Sequence, residues 1–179
     1  MNPILLIPAR MASTRLPGKP LADIAGRPMI VRVWEQAKSA KLGPVVVAAA
    51  EPAIVAAIKA VGGHAMLTDP GLPSGSDRIF AALAAVDPDQ RHDVVVNLQG
   101  DLPALPPSAI RAVVAALTDS GADIATLAAQ ITDAGERDNP AVVKAVVSWN
   151  ESGSLGRALY FTRATAPSGD GPLFHHIGI

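Results

Sequence analysis

The feature that most constrains the fold of this chain is a series of short apolar runs, each followed by a segment with helical periodicity. The runs at residues 4–7, 45–49 and 94–98 are rich in β-branched or aliphatic residues, without alternation of apolar and polar side chains. Runs of this kind are typical of parallel strands that are covered on both faces. They predict the strands of a buried parallel sheet.

The segments between these runs have the signals of helices. Residues 28–40 and 52–61 begin with a proline, which the first turn of a helix tolerates, and Gly62-Gly63 ends the second segment. After Pro107, apolar residues at 110, 113, 114 and 117 form one helical stripe. The β-α-β-α-β order predicts an α/β fold with an open, mostly parallel, Rossmann-like sheet and helices on both faces.

The pattern changes after about residue 124. Shorter strands are predicted at 124–129, 142–147 and 158–161, joined by turns that contain Gly, Asn and Ser. They predict a mixed or antiparallel strand extension of the sheet. The chain has 179 residues and no cysteine, and a chain of this length can bury a core without disulfides or zinc.

Composition excludes several classes of partner. The formal net charge is −1, and only 3% of residues are aromatic, so we expect no nucleic-acid partner and no coating of an anionic membrane. The longest apolar stretch, 44–63, is interrupted by Glu51, Pro52 and Lys59, which argues against a membrane span. No targeting signal is recognisable at the N-terminus, so we expect a cytoplasmic protein with small-molecule partners.

The most informative segment is residues 8–20, P-A-R-M-A-S-T-R-L-P-G-K-P, here called the cationic loop. It directly follows the first strand, where ligands of open α/β sheets collect, and it carries Arg10, Arg15 and Lys19 with no acid. Arg and Lys both bind phosphate oxygens, so the loop predicts a polyphosphate site rather than a merely solvated turn. It matches neither a Walker A loop nor a dinucleotide-binding glycine turn.

Residues 7–21 closely resemble the signature I-P-A-R-x-x-S-T-R-L-P-G-K-P-L of the 3-deoxy-manno-octulosonate cytidylyltransferase family, the CMP-Kdo synthetases. Further similar segments follow in the same order: S-G-S-D-R at 74–78, V-N-L-Q-G-D at 96–101, N-P-A-V-V-K at 139–144, A-L-Y-F-T-R at 158–163 and H-H-I-G-I at 175–179. The resemblance implies a nucleotide-diphospho-sugar transferase type of fold. It also implies cytidylyl transfer from CTP to the anomeric hydroxyl of 3-deoxy-manno-octulosonate (Kdo), with Mg²⁺, in a homodimer that serves lipopolysaccharide biosynthesis.

Asp101 is the candidate metal ligand. It follows the strand at 94–98 by a few residues, so its carboxylate should emerge at the C-terminal edge of the sheet. Mg²⁺ prefers one or two such carboxylates together with phosphate and water oxygens. An alternative from the sequence alone is that Asp101 caps the turn before Pro103, but the resemblance aligns it with the metal-binding aspartate of the family.

The resemblance also implies the other site residues. Arg10, Lys19 and Asp101 are expected to be catalytic. Nucleotide binding is expected from Ala9, Arg10, Ser13, Arg15, Lys19, Ser74, Gly75 and Arg78, and binding of the sugar acid from Gln99, Arg163 and His176.

Structural alternatives exist for several of these residues. Residues 74–76 could form a surface turn with Ser76 capping a helix at 77–86, and Gln99 could be a strand-end amide bonded to backbone. His175 and His176 are adjacent on a strand and point to opposite faces, so at most one should face a site.

The chain departs from the family pattern at three places. Leu102 stands where relatives have an acid, and Ala50 stands where they have an aspartate, which predicts the loss of a polar contact. Relatives continue for roughly 70 further residues. We therefore expect residues 1–179 to be one nucleotidyltransferase domain without the family's C-terminal portion. Residues 1–120 would be its nucleotide-binding half, and 121–179 the start of the sugar-acid-binding and dimerisation part. An inactive nucleotide-binding fragment, or an enzyme acting on another sugar, remains the alternative.

Overall fold

The computed structural model of the protein describes residues 1–12 and 16–179. The chain forms two compact units, the first containing Met1–Ala112 with Ile179 and the second containing Val113–Gly178. The boundary falls within the helix α4 (Pro107–Ser120). Each unit is described by itself.

The first unit is built on a four-stranded parallel sheet with the strand order β5-β4-β1-β6. Its strands are β1 (Pro3–Ala9), β4 (Val45–Ala49), β5 (His64–Leu67) and β6 (Val94–Asn97), and a small hairpin pairs β2 (Asp23–Ile24) with β3 (Arg27–Pro28). Its helices are α1 (Met29–Ser39), α2 (Pro52–Ala60) and α3 (Gly75–Val86), with a 3₁₀ turn at Lys19–Leu21. The predicted α/β class and its three parallel strands are confirmed.

The central strand β1 is buried on both faces. Ile4 and Leu6 pack with Val46 and Ile79 in one core cluster, so α3 covers this face of the sheet. Leu5 and Ile7 point to the opposite face, because side chains alternate along a strand, and they are also fully buried. Burial on both faces explains why this strand is apolar without alternation.

The helices of the first unit present the expected apolar stripes. Helix α1 buries Ile30, Val33, Trp34 and Ala37, at the spacing of one helical face. Pro28 lies in β3 and caps this helix, so α1 begins one residue later than predicted. Helix α2 begins with Pro52 and buries Ile54 and Ile58.

The second unit contains a four-stranded antiparallel sheet with the order β7-β10-β8-β9. Its elements are β7 (Leu127–Gln130), α5 (Ala134–Arg137), β8 (Lys144–Trp149), β9 (Gly156–Thr162) and β10 (Phe174–Ile177). The predicted antiparallel strands are confirmed, but in the structure they form a separate sheet and not the predicted extension of the parallel one.

The interior of the second unit includes a charged side chain. Lys144 on β8 is fully buried and donates a hydrogen bond of 2.7 Å from Nζ to the carbonyl of Asn139. The edge strand β9, in contrast, leaves Leu159 and Tyr160 exposed. Across the described helices, none has the length and hydrophobicity needed to span a membrane.

Candidate active site

The first unit contains a cleft of about 920 Å³ at the C-terminal ends of its parallel strands. Parallel strands all end at the same edge of a sheet, so the segments after β1 and β6 meet there. The lining residues are Pro8, Ala9, Arg10, Ala12, Leu16, Pro17, Lys19, Pro20, Met29, Ser74, Gly75, Arg78, Gln99, Gly100 and Asp101. The structure thus brings together seven of the predicted nucleotide and sugar contacts together with the predicted metal ligand.

The cationic loop is closed at its base by backbone hydrogen bonds. The N–H of Gly18 donates to the carbonyl of Met11 at 3.1 Å, and the N–H of Lys19 donates to that of Leu16 at 3.1 Å. Gly18 has a φ of 73°, in the left-handed region that glycine adopts without steric cost. Ser13 and Arg15, two of the predicted nucleotide contacts, lie outside the described residues.

Lys19 and Asp101 face each other across the cleft. Nζ of Lys19 lies 2.7 Å from Oδ2 of Asp101, and both side chains are partly exposed. The segment after β6 approaches the end of β1 closely at Gly100, because a Cβ at that position would lie only 2.7 Å from the carbonyl oxygen of Pro8. A glycine before Asp101 therefore lets the carboxylate come within reach of the cationic loop.

Arg78 lies in the wall of the cleft, and only 2% of its surface is exposed. Its Nη1 donates to Oγ1 of Thr68 and, at 3.0 Å, to the carbonyl of Asp69. Burial lowers the pKa of Arg78 and the charge of Arg10 adds to this effect, whereas the carboxylates of Glu51 and Asp69 oppose it. Among the described residues Nη2 has no hydrogen-bond partner, so the wall of the cleft contains one buried donor that is not satisfied.

Ser74 and Gly75 form the start of α3. The hydroxyl of Ser74 accepts the N–H of Asp77 at 3.1 Å and donates to the Asp77 carboxylate, so Ser74 is the cap of this helix. The predicted cap at Ser76 is wrong, since Ser76 lies within the first turn. A Cβ at Gly75 would lie 3.4 Å from Cγ of Pro8, which shows how closely α3 approaches the end of β1.

Arg10 and Gln99 also line the cleft, at the ends of β1 and β6. Arg10 is exposed, whereas Ala9 before it is buried. The amide of Gln99 donates to Oδ1 of Asn97 at 3.2 Å. The partner of the Gln99 amide is therefore a side chain, and not the backbone group of the alternative prediction.

The remaining predicted sugar-acid contacts, Arg163 and His176, lie in the second unit. Nη1 of Arg163 donates to the carbonyl of Pro140 at 2.8 Å, although the side chain is exposed. Nε2 of His176 lies 2.9 Å from Oγ1 of Thr126, and its ring packs edge-on against Phe161. Burial lowers the pKa of His176, and the charge of His175 adds to this effect.

Sequence reasoning missed Glu51, whose Oε2 accepts the N–H of Met11 at 2.9 Å. The sequence predicts the loss of a polar contact at Ala50, and Ala50 is indeed buried, but the next residue supplies a contact to the cationic loop. The signal was available, because Glu51 follows β4 just as Asp101 follows β6. An acid after a central parallel strand points to the same edge of the sheet.

The donors in the cleft fit a hydrated divalent cation rather than a complete protein cage. In residues 1–12 and 16–179, no three His, Cys, Asp or Glu side chains are grouped as metal ligands. The Asp101 carboxylate is accessible and already attracts a cation, the Lys19 ammonium. A single carboxylate of this kind suits Mg²⁺, which keeps water and substrate phosphates as its other ligands.

Known proteins resemble this chain over nearly its full length. A family model described as cytidylyltransferase matches residues 4–171. The 3-deoxy-manno-octulosonate cytidylyltransferase of Parvibaculum lavamentivorans is 63% identical over 178 residues, which are 99% of this chain and 69% of that protein. The protein of the same name from Rhodospirillum centenum is 61% identical, with the same coverage of both chains.

A solved structure has the same architecture. The structure of CMP:2-keto-3-deoxy-manno-octonic acid synthetase complexed with CTP superposes with a TM-score of 0.85 at 36% identity, covering 99% of this chain and 72% of that one. The similarity therefore extends to sequence and to fold alike.

Proposed function

Because this chain belongs to the cytidylyltransferase family, we propose that it transfers a cytidylyl group from CTP to the anomeric hydroxyl of Kdo and releases pyrophosphate. The observation that carries this proposal is the cleft at the sheet edge, where Arg10 and Lys19 lie with the Asp101 carboxylate. Such a cleft supplies both the cations that a triphosphate needs and a ligand for its metal ion.

The nucleotide is assigned to the cleft of the first unit. Arg10 and Lys19 are partly exposed there and can contact the phosphates, and Arg78 in the wall of the cleft is assigned to the nucleotide from its S-G-S-D-R segment. Ala9, Ser74 and Gly75 form the adjoining wall, and Ser13 and Arg15 complete the assignment from the signature of the cationic loop.

Asp101 is the residue that would hold Mg²⁺. A bound divalent ion would neutralise charge on the phosphate oxygens of the nucleotide. Lys19, at 2.7 Å from Asp101, would then turn from the carboxylate to the phosphates.

The reaction is a direct displacement at the α-phosphorus. The anomeric hydroxyl of Kdo attacks and loses its proton to solvent water, and a new bond forms between its oxygen and the α-phosphorus. The bond between the α-phosphorus and the oxygen that bridges to the β-phosphate breaks, and pyrophosphate leaves. Arg10 and Lys19 stabilise the negative charge that grows on the leaving group. No covalent enzyme intermediate is required, and the chain contains no cysteine to form one.

The sugar acid is assigned to three residues on the basis of the family motifs. Gln99 can donate to sugar hydroxyls from the end of β6, and Arg163 carries the cation that a carboxylate needs. His176 is the second candidate from the second unit. In this proposal residues 1–120 bind the nucleotide and 121–179 serve the sugar acid and dimerisation.

The cellular setting is part of the same proposal. The activity belongs to the cytoplasm, where CTP is available, and its product supplies lipopolysaccharide biosynthesis. A homodimer is the proposed assembly.

A coupled assay of pyrophosphate release with CTP, Kdo and Mg²⁺ tests the function. We expect release that depends on all three, and that falls when ATP, GTP or UTP replaces CTP or when sialic acid replaces Kdo. Lys19→Ala should abolish the release while the circular dichroism spectrum is unchanged. Binding of CTP by calorimetry, without any release of pyrophosphate from CTP when Kdo and Mg²⁺ are present, would contradict the proposal.

A further inference from the structure

Glu51 makes a contact that its local position does not require. It precedes the first residue of α2, with an extended backbone at φ −128° and ψ 146°, yet its side chain makes no capping hydrogen bond to that helix. The carboxylate instead accepts the N–H of Met11 at 2.9 Å, in a part-buried position. The side chain of Glu51 thus serves the cationic loop rather than its own helix.

The contact lies where the pairing of β1 with β4 ends. These strands pair in parallel as far as Ala9 and Ala49, and the N–H of Ala50 then donates to the carbonyl of Ala9 at 2.9 Å. In the register of Leu5 N–H with the Pro44 carbonyl, the next acceptor for Met11 N–H would be the carbonyl of Ala50. The Glu51 carboxylate takes the place of that acceptor, so the chain can leave the sheet without losing a hydrogen bond.

Met11, which Glu51 holds, also closes the base of the cationic loop. The carbonyl of Met11 accepts the N–H of Gly18, so the peptide groups before and after the Cα of Met11 are each held by one hydrogen bond. Arg10 lies directly before this fixed residue, and Lys19 directly follows Gly18. A carboxylate that follows the neighbouring strand β4 therefore fixes the backbone beside Arg10 and Lys19.

We propose that Glu51 is a positioning residue that holds the base of the cationic loop, and with it Arg10 and Lys19, in the geometry needed to bind the triphosphate. This inference rests on the proposed function, since the triphosphate is the ligand that the positioned cations would bind. Glu51 acts through Met11 and does not itself touch the nucleotide.

Two properties of Glu51 can be separated by substitution. Gln keeps an oxygen that can accept the Met11 N–H but removes the charge, whereas Ala removes both. The charge also acts on Arg78, because the Glu51 carboxylate opposes the fall in the pKa of that guanidinium. If positioning is the role, Glu51→Gln should behave much like the wild type and Glu51→Ala should not.

Hydrogen exchange of single amides reads the geometry directly. Glu51→Ala leaves the Met11 N–H without its acceptor, so exchange of the Met11 amide should become about tenfold or more faster. The amide of Gly18 should follow in the same direction, and Glu51→Gln should retain most of the protection. Glu151→Ala, which removes an exposed acid of the second unit, is the matched control and should leave both amides unchanged.

Steady-state kinetics reads the consequence for the ligand. Glu51→Ala should raise KM for CTP by about tenfold, equivalent to about 1.4 kcal/mol, and leave KM for Kdo within twofold. Glu51→Gln should restore KM for CTP to nearly the wild-type value. If Glu51→Ala is poorly folded by circular dichroism, Glu51→Met, which is of similar length and has no carboxylate, takes its place in both experiments.

Unchanged exchange of the Met11 amide in Glu51→Ala would overturn the inference, and so would an equal rise of KM for both substrates. The proposed function fails separately, if the wild type releases no pyrophosphate from CTP and Kdo. The exchange measurement needs no turnover and would still decide whether Glu51 holds the loop.

Discussion

The two units of the molecule hold their candidate site residues in different ways. In the first unit, Lys19 and Asp101 come from loops after two parallel strands, far apart in sequence, and meet across one cleft. In the second, Arg163 and His176 lie in or beside antiparallel strands, and each is bonded within its own unit, to Pro140 and Thr126. A parallel sheet collects the loops that follow its strands at one edge, whereas antiparallel neighbours end at opposite edges.

The same contrast applies to stability. The central strand of the first unit is buried on both faces, whereas the edge strand β9 of the second unit leaves Leu159 and Tyr160 exposed. Substitutions in the central strand β1 should therefore lower the free energy of unfolding more than substitutions at the exposed positions of β9.

The largest effect should come from Asp101→Asn, which would show that the chemistry depends on the first unit. The amide has no charge to hold a divalent cation, so kcat should fall by about 10²- to 10³-fold. The free energy of unfolding should change by less than about 1 kcal/mol, because the ion pair with Lys19 is partly exposed. Pyrophosphate release and urea unfolding measure the two quantities.

A matched control is available in the same unit. Asp89 forms an exposed ion pair of 2.6 Å with Arg91, and neither residue lines the cleft. Asp89→Asn should leave kcat within twofold of the wild type. A comparable loss in both variants would break the assignment of Asp101.

The next effect concerns the packing contrast. Leu6→Ala removes a fully buried side chain from the central strand and should lower the free energy of unfolding by about 2–5 kcal/mol. Leu159→Ala on the exposed edge strand should change it by less than about 0.5 kcal/mol. Urea denaturation compares them, and equal losses would show that β9 is not exposed in solution.

A smaller effect should sharpen the division of labour between the units. Arg163→Ala removes a guanidinium that has donors besides the one bonded to Pro140 and can bind a carboxylate through them, so KM for Kdo should rise by about tenfold, or about 1.4 kcal/mol. KM for CTP should be unchanged. Arg157→Ala, which removes an exposed arginine of the strand β9 that precedes Arg163, is the control, and a rise of KM for CTP in Arg163→Ala would contradict the assignment.

The smallest effect is a pH dependence of stability from the second unit. The pKa of His176 lies below the ordinary value of 6.5, because burial, and then the charge of His175, disfavour the protonated form. The unfolded chain therefore binds the proton more tightly, so stability should fall as the pH drops below about 6.5. It should stop falling once the pH lies below the pKa of the folded protein.

His176→Gln should reduce this loss of stability, measured as the difference in free energy of unfolding between pH 7.5 and pH 5.5. His64→Gln in the first unit is the matched control. A difference that is the same in His176→Gln and the wild type would show that another group is responsible.

Periodicity and local signals predicted much of the first unit from the sequence. The strands β1 and β4 are recognisable because burial on both faces demands continuous apolar runs. The strand β6 has the same kind of run, although it lies at the edge of the sheet and leaves Val95 exposed. The strand β5 was missed, since its sequence His-Ala-Met-Leu lacks β-branched residues and its ends are exposed at the edge of the sheet. Its pairing with β4 forms it, and pairing is a tertiary contact that local sequence does not encode.

The sequence predicted which residues lie at the edge of the sheet, but it did not predict the hydrogen bonds that hold them there. Asp101 could be placed at the sheet edge because it directly follows a strand. The burial of Arg78 depends on Thr68 and Asp69, which lie in a loop whose path the sequence does not reveal. The sequence placed the cap of α3 two residues too late, at Ser76, because Ser74 and Ser76 are equally suitable by residue type. Only the hydrogen bonds between Ser74 and Asp77 decide between them.

In the cleft without a ligand, the positive charge of Lys19 and the negative charge of Asp101 neutralise each other. A ligand that binds there replaces the ion pair between Lys19 and Asp101 with its own ionic contacts. The free energy gained is the difference between the new contacts and the ion pair that is lost. An anion alone would strip Asp101 of its counterpart, and a cation alone would do the same to Lys19. The ion pair therefore favours a ligand that carries a negative and a positive charge together, such as an anion with a bound cation.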